Sequence, residues 1–238
     1  MSRSRAVVFS LLLLAVVALT PLRARATLLH QYTFNGSVTD QVGSINGTLV
    51  GGATASGGSL VLNGTSAYAQ LSGYAIPSGD FSITFDATIA AISTSNYAEM
   101  ISQGSSGSGF YIGITPGPSA VFRLGDVVGG TSVAAPTDGK QHSYELISSA
   151  ANGTQFYIDG TKEFTSATQA TAPQSSTDTR IGDQFASFNE FFDGSISNLS
   201  IYSGLPSAAV PEPSDLAVLA GGVALLSLLP RRRRRRTQ

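Results

Sequence analysis

Phe81-Ser82-Ile83-Thr84-Phe85-Asp86-Ala87-Thr88-Ile89 alternates apolar and polar residues over nine positions. Successive side chains of a β-strand point to opposite faces, so this stretch reads as a strand with one face in a core and Asp86 on the wet face. Period-two patterning recurs on both sides of it. It predicts strands at 29–34, 59–62, 68–71, 100–102, 109–114 and 120–124. Further strands are predicted at 142–147, 155–158, 163–165, 180–181 and 194–202. No stretch between 27 and 210 carries a helical apolar stripe.

Turn chemistry separates the strands. Asn-Gly occurs at Asn35, Asn46, Asn63 and Asn152, and Asp-Gly at Asp138, Asp159 and Asp193. These pairs tolerate positive φ and close tight hairpins. Asn35, Asn46, Asn63, Asn152 and Asn198 also begin glycosylation triplets, and are read here as turn or strand-end residues. In the last predicted strand Ile196 and Leu199 are three apart, which a regular strand would turn to opposite faces. A β-bulge at Ser197-Asn198 reconciles them, as would a strand buried on both faces. Many short strands joined by such turns imply an all-β, two-sheet antiparallel sandwich or jelly roll.

The two ends of the chain differ from this body. Arg3 and Arg5 precede an uncharged apolar run over 6–19, and Ala24-Arg25-Ala26 places small residues at both positions of a signal-peptidase cut. That is the layout of a secretory signal peptide over 1–26, and its apolar run is short for a membrane span. At the other end, Val210-Pro211-Glu212-Pro213-Ser214 is stiffened by its prolines. An apolar segment over 216–229 follows, and then Arg231, Arg232, Arg233, Arg234, Arg235 and Arg236. Such an arginine block stays on the cytoplasmic side of a bilayer, so the segment is expected to halt in the inner membrane. In order and spacing the tail resembles the PEP-CTERM family of sorting signals. The resemblance implies a partner exosortase, a membrane protease that reads the motif. It also implies final delivery to the outer surface or extracellular matrix of a diderm bacterium. The chain thus divides into 1–26, a β-domain over 27–207 and the sorting signal over 208–238, with two apolar helical targeting segments flanking the sandwich.

Between 27 and 210 the only basic residues are Arg123, Lys140, Lys162 and Arg180, against 13 acidic ones, a net charge of −9. That sign argues against a nucleic-acid partner and suits neutral glycans or divalent cations. Cysteine is absent, which removes thiolate metal sites and thiol nucleophiles. His30 and His142 are the only histidines. His142 is read as a hydrogen-bonded strand residue. No Gly-x-Ser-x-Gly elbow occurs, and the glycine-serine run over 104–109 lacks the helix and lysine of a phosphate cradle. Asp159 and Glu163 could pair as carboxylates, but Gly160 between them marks a hairpin turn.

The body resembles the LamG-like, concanavalin A-like lectin/glucanase jelly rolls. Tyr32-Thr33-Phe34-Asn35-Gly36-Ser37 with Asp40, Leu60-Val61-Leu62-Asn63-Gly64-Thr65 and Phe81-Ser82-Ile83-Thr84 match its opening strands. Asp138-Gly139-Lys140-Gln141-His142-Ser143-Tyr144 with Phe156-Tyr157-Ile158-Asp159-Gly160 match its most distinctive pair. Ile181-Gly182 and Phe192-Asp193-Gly194-Ser195-Ile196 match its close. Gln141, Phe85-Asp86 and Ser197 stand where the family often has tryptophan, tryptophan and aspartate. The resemblance implies a calcium ion, a hard cation held by oxygen ligands, with Asp40 and Asp193 as candidates. The Glu-x-Asp-x-x-Glu pattern of the glucanases sharing this fold is absent. Tyr68, Tyr74, Tyr97 and Tyr111, and the cluster Phe185, Phe188, Phe191 and Phe192, are the aromatics that could stack on sugars. The expected function is an exported, non-catalytic binding, adhesion or matrix protein with a glycan or exopolysaccharide as partner. The alternatives are a glycan-active hydrolase and a structural matrix protein without a ligand.

Overall fold

The computed structural model describes residues 26–205, apart from 106–107 and 175–177. Ala24, the motif Val210–Ser214, the apolar segment 216–229 and Arg231–Arg236 lie outside the described residues, as do both predicted targeting helices. No helix among the described residues is long and apolar enough to cross a membrane.

Among the described residues, fifteen strands form two antiparallel sheets. The first eight are β1 (Thr27–Tyr32), β2 (Gly47–Val50), β3 (Thr54–Ser56), β4 (Ser59–Asn63), β5 (Tyr68–Leu71), β6 (Phe81–Ala91), β7 (Ala98–Ser105) and β8 (Ser108–Ile114). The remainder are β9 (Val121–Leu124), β10 (Gly130–Ala134), β11 (Gln141–Ser149), β12 (Gly153–Ile158), β13 (Thr161–Ser166), β14 (Asp178–Ile181) and β15 (Asp193–Ser203). One sheet runs β13-β12-β11-β6-β15-β4-β3, with β1 also on β15; the other runs β10-β9-β8-β7-β14-β5-β2. This is the predicted sandwich, with crossovers that carry neighbouring strands into alternate sheets.

The alternating stretch behaves as its pattern dictates. Phe81, Ile83, Phe85, Ala87 and Ile89 enter the core, while Thr84, Asp86 and Thr88 face outward. Phe85 stacks on Tyr144 at 5.2 Å, and Phe122 packs on Phe156 at 4.9 Å across the interface between the sheets. These rings supply the apolar area that tryptophan would otherwise provide.

The bulge falls at the predicted place. Ser197 faces Asp86 and Ser200 faces Thr84, so Asn198 and Leu199 together oppose Phe85. Asn198 takes a left-handed φ of 52°, which lets Ile196, Leu199 and Ile201 all reach the core. Other expectations are corrected. The first strand ends at Tyr32 rather than 34, because Phe34 adopts φ 53° and folds its ring back onto Tyr32. β2, β3 and β10 were not expected, and neither was a four-residue helix, α1 (Gly125–Val128).

The ends of the described chain meet. Ala26 N donates to Leu205 O at 3.1 Å, and Thr27 pairs with Ser203. β15 starts at the other pole, where Asp193 faces Asn63 and Ala91.

Candidate functional site

The outer face of the seven-stranded sheet carries a row of charged and aromatic side chains near that second pole. Register sets the row. Glu99 of β7 pairs with Gly113 of β8, which pairs with Arg123 of β9. Residues paired across adjacent strands share a face, so Glu99 and Arg123 lie on either side of a residue with no side chain. A Cβ at Gly113 would collide with the Glu99 carboxylate, so glycine there lets the acid lie flat across β8.

Arg123 closes the gap. Its Nε donates to Glu99 Oε1 at 3.0 Å, and its Nη2 donates both to that oxygen and to Glu190 Oε2, the latter at 2.8 Å. Its guanidinium lies 3.9 Å from the Tyr97 ring centre and 4.2 Å from that of Tyr111, within cation–π range of both. Tyr111 Oη donates to Asp126 Oδ1 at 2.8 Å, and Asp126 Oδ2 accepts from Gly109 N. Burial drives the Glu99 carboxyl well above the usual range; Arg123 opposes this and the nearby Glu190 carboxylate adds to it. Burial and the bond to Asp126 likewise push the Tyr111 phenol up.

A second cation sits farther along the same face. Arg180 of β14 pairs with Gln70 of β5 and Ser102 of β7, and Ser102 pairs with Tyr111. Arg180 donates to Gln70 Oε1 at 3.1 Å and to Asp183 Oδ2 at 2.7 Å, and lies over Tyr68 at 4.7 Å. Burial raises the Asp183 carboxyl.

The segment 182–192 is laid across this face and closed on itself by Phe192 N donating to Gly182 O at 3.0 Å. Compact loops with adjacent ends are a common site of function. Its contacts hold it down: Ser102 Oγ donates to Asp183 O, Phe185 N donates to Ser102 Oγ, and Glu99 N donates to Glu190 O. The Phe185 ring occupies the space over Gly104 and Gly109, where either Cβ would strike it. Phe188 stands edge-on to Phe185 at 6.3 Å and is half exposed. The outcome is a floor of buried charges, in which Glu99 Oε2 and Asp183 Oδ1 have no hydrogen-bond partner among the described residues, with two accessible rings, Tyr97 at 41% and Phe188 at 50% exposure. An exposed ring beside fixed polar groups is the arrangement that stacks a sugar ring and bonds its hydroxyls.

The structure therefore gathers Tyr68, Tyr97, Tyr111, Phe188 and Phe191 on one face. Tyr74 lies in the segment after β5, Phe192 is in the core and Phe185 is buried as a wedge. Glu99, Arg123, Arg180, Asp183 and Glu190 were missed by sequence reasoning. The one available signal was scarcity, since Arg123 and Arg180 are two of four basic residues in the body.

Asp40 and Asp193 do not come together. Asp40 bridges to Tyr32, whose partner on β15 is Leu199, six residues and roughly 20 Å along the strand from Asp193. Five donors already surround the Asp40 carboxylate: the amides of Gln31, Val42, Gly43 and Ile45, and His30 Nδ1 at 2.6 Å. Asp193 packs beneath Gly64 at the start of β15. Among the described residues no three of His, Cys, Asp or Glu gather to hold a metal ion. The pair does not fit calcium as a shared site. His142 bonds Asp159 at 2.6 Å and Asp138 at 3.1 Å, and Asp159-Gly160 forms the hairpin between β12 and β13. Ala26 is the first described residue.

Comparison with known proteins adds a family. The profile described as the concanavalin A-like lectin/glucanases superfamily matches residues 63–209. No curated protein matches the chain. Domain 4 of AbnA, an extracellular arabinanase of Geobacillus stearothermophilus solved with arabinotriose, superposes with TM-score 0.62 and 19% identity, covering 83% of this chain and all of that domain. The Trypanosoma rangeli sialidase, solved with sialic acid, gives 0.57 and 14%, over 76% of this chain and 31% of the enzyme. The binding domain of botulinum neurotoxin DC, in complex with rat synaptotagmin II, gives 0.60 and 14%, over 82% of this chain and 51% of that one. At these identities the likeness is one of fold.

Proposed function

The chain belongs to the concanavalin A-like lectin/glucanases superfamily, and from that premise we propose that its body is a non-catalytic saccharide-binding module. The ligand lies on the outer face of the seven-stranded sheet, against Tyr97 and Phe188. One observation carries this reading: Tyr97 is held flat by the Arg123 guanidinium, 3.9 Å away, and keeps 41% of its surface open. A ring fixed in place loses little entropy when it stacks on a ligand. The arabinanase domain, solved with arabinotriose, lends support from the same fold.

A hydrolase reading has one specific observation in its favour, the two carboxylates of Glu99 and Glu190 converging on Arg123. A glycosidase needs both carboxyls at the scissile bond, one as acid and one as nucleophile or base. Each acid gives one oxygen to a single guanidinium, and the second Glu99 oxygen is buried with no exposed surface for a substrate to reach. The geometry favours binding over bond cleavage.

The sequence of the ends supports export. The 1–26 leader would direct secretion, and Val210–Ser214 with the arginine block would hand the protein to an exosortase for placement in the envelope or exopolysaccharide. The two described ends meet at one pole while Tyr97 lies near the other. A body tethered by its tail would present the site outward.

A glycan array probed with the full chain tests the function. Retention of neutral oligosaccharides that is weakened by Tyr97→Ala supports it. Retention of none, or release of shortened sugars, counts against it.

A further inference from the structure

The outer face of the other sheet carries a second groove that the proposed site leaves unused. It has a volume of about 340 Å3 and is lined by Thr84, Asp86, Ser143, Glu145, Tyr157 and Asn198. Small-ligand sites run from roughly 300 to 1,000 Å3, so it is large enough for a sugar unit.

Register builds this groove across four strands. Tyr157 of β12 pairs with Glu145 of β11, Glu145 with Thr84 of β6, and Thr84 with Ser200 of β15. The next row brings Ser143 against Asp86 and Asp86 against Ser197. The bulge then turns Asn198 outward, where its Nδ2 donates to Asp86 Oδ2 at 2.7 Å. That bond fixes the amide and leaves its Oδ1 facing away from Asp86 to accept a donor. A bulge that re-aims one side chain is a recurrent device beside binding sites.

Glu145 is the odd residue. It is half-buried in the middle of the sheet, and burial raises its carboxyl, yet no hydrogen bond or ion pair satisfies it among the described residues. The Glu145 oxygens keep some access to water, so a ligand hydroxyl would take the place of a water there. Tyr157 supplies a ring on the same row, its Oη donating to Gln155 Oε1 at 2.7 Å so that the phenol is held in place.

We propose that this groove is a second saccharide site, specific for an uncharged sugar, and that the domain bridges two polysaccharide chains. Acceptors dominate it: Asp86, Glu145 and the Asn198 carbonyl take hydroxyl protons, Ser143 and Thr84 give or take one, and Tyr157 stacks. Two carboxylates repel a uronate, which sets the neutral class. The two sites lie on outward faces of opposite sheets, separated by the core, so one sugar cannot lie on both. The inference takes its ligand class from the proposed function but not its residues, so each can fail alone.

Calorimetric titration of the full chain in detergent, with arabinotriose, cellotriose and trigalacturonate as probes, tests it. With at least one neutral probe, the wild type should bind two equivalents. Tyr97→Ala should retain one, of which Glu145→Gln or Tyr157→Ala removes at least tenfold in affinity. Glu145→Gln preserves shape, and unchanged melting of each variant shows that the fold is intact. If Tyr97→Ala abolishes all binding, the second site is wrong and the first stands. If the wild type binds only one equivalent, and that one survives Tyr97→Ala but not Tyr157→Ala, the groove stands and the first site is wrong. Tight binding of trigalacturonate to Tyr97→Ala overturns the neutral class, and no binding of any probe overturns both readings.

Discussion

Glu99 and Arg123 bond each other across a strand that neither belongs to, over the bare backbone of Gly113. The ion pair, the Arg123 bond to Glu190 and the stacked Tyr97 gather around that missing side chain. Gly113→Ala places a methyl group against the Glu99 carboxylate. It should cost about 1–3 kcal/mol of stability, read by urea denaturation, and weaken saccharide binding as Tyr97 loses its support.

Arg123 separates the cost of a broken pair from the worth of the pair. Arg123→Ala leaves Glu99 buried without a cation and should lose roughly 3 kcal/mol or more. The double variant Arg123→Met with Glu99→Gln removes both charges and should recover most of that loss. Equal destabilisation of the single and double variants would show that the cost lies in packing against Tyr97 and Tyr111 rather than in the orphaned charge.

Phe185 and Phe188 should behave oppositely. Phe185 is 2% exposed and wedged over Gly104 and Gly109, so Phe185→Ala opens a cavity and should cost about 3 kcal/mol. Phe188 is half exposed, so Phe188→Ala should stay within about 0.5 kcal/mol while lowering affinity. Thermal melting and titration of the same samples give both values.

Asp40 acts as a structural carboxylate. Asp40→Ala strands four backbone amides and His30, and should destabilise by roughly 3 kcal/mol. Because its oxygens are already taken, excess chelator should leave the melting temperature unchanged. A fall on chelation, restored by calcium, would instead make metal binding part of the fold.

The His142 bridge predicts a pH signature. Its bonds to Asp159 and Asp138 raise the His142 pKa, and His142 with the Lys140 and Ser143 amides lowers those of the two aspartates. For histidine, the stabilisation is complete below the unfolded value near 6.5 and is lost as pH rises through the raised folded value. For the aspartates, it is present above their unfolded value near 4 and is lost as pH falls through the depressed one. The melting difference between wild type and His142→Gln should therefore be largest between about pH 4 and 6.5, and shrink on either side. A flat difference would mean the ring contributes only packing.

Much of the fold was legible because period-two patterning is a local property. Phe81–Ile89 announced the strand at the centre of the first sheet, and the awkward spacing of Ile196 and Leu199 announced the bulge. β2, β3 and β10 were not legible, since strands of three to five residues beside Gly51-Gly52, Gly57-Gly58 and Gly129-Gly130 give alternation no length in which to show. The site was readable only as fragments. Tyr68, Tyr97, Tyr111 and Phe191 each stood out as aromatic, but their convergence is set by register between strands far apart in sequence. Glu99 and Arg123 were overlooked because a charge in a strand reads as a wet face, and nothing local reveals a segment folded over that face.

Tyr97, held by Arg123, is the proposed floor of a saccharide site. Its most direct measurement is the dissociation constant of a neutral oligosaccharide for wild type and Tyr97→Ala at matched stability. Loss of a stacked ring should weaken binding at that face by about tenfold or more, corresponding to roughly 1.4 kcal/mol. Equal affinity of the two proteins, with every binding equivalent retained, would contradict the account.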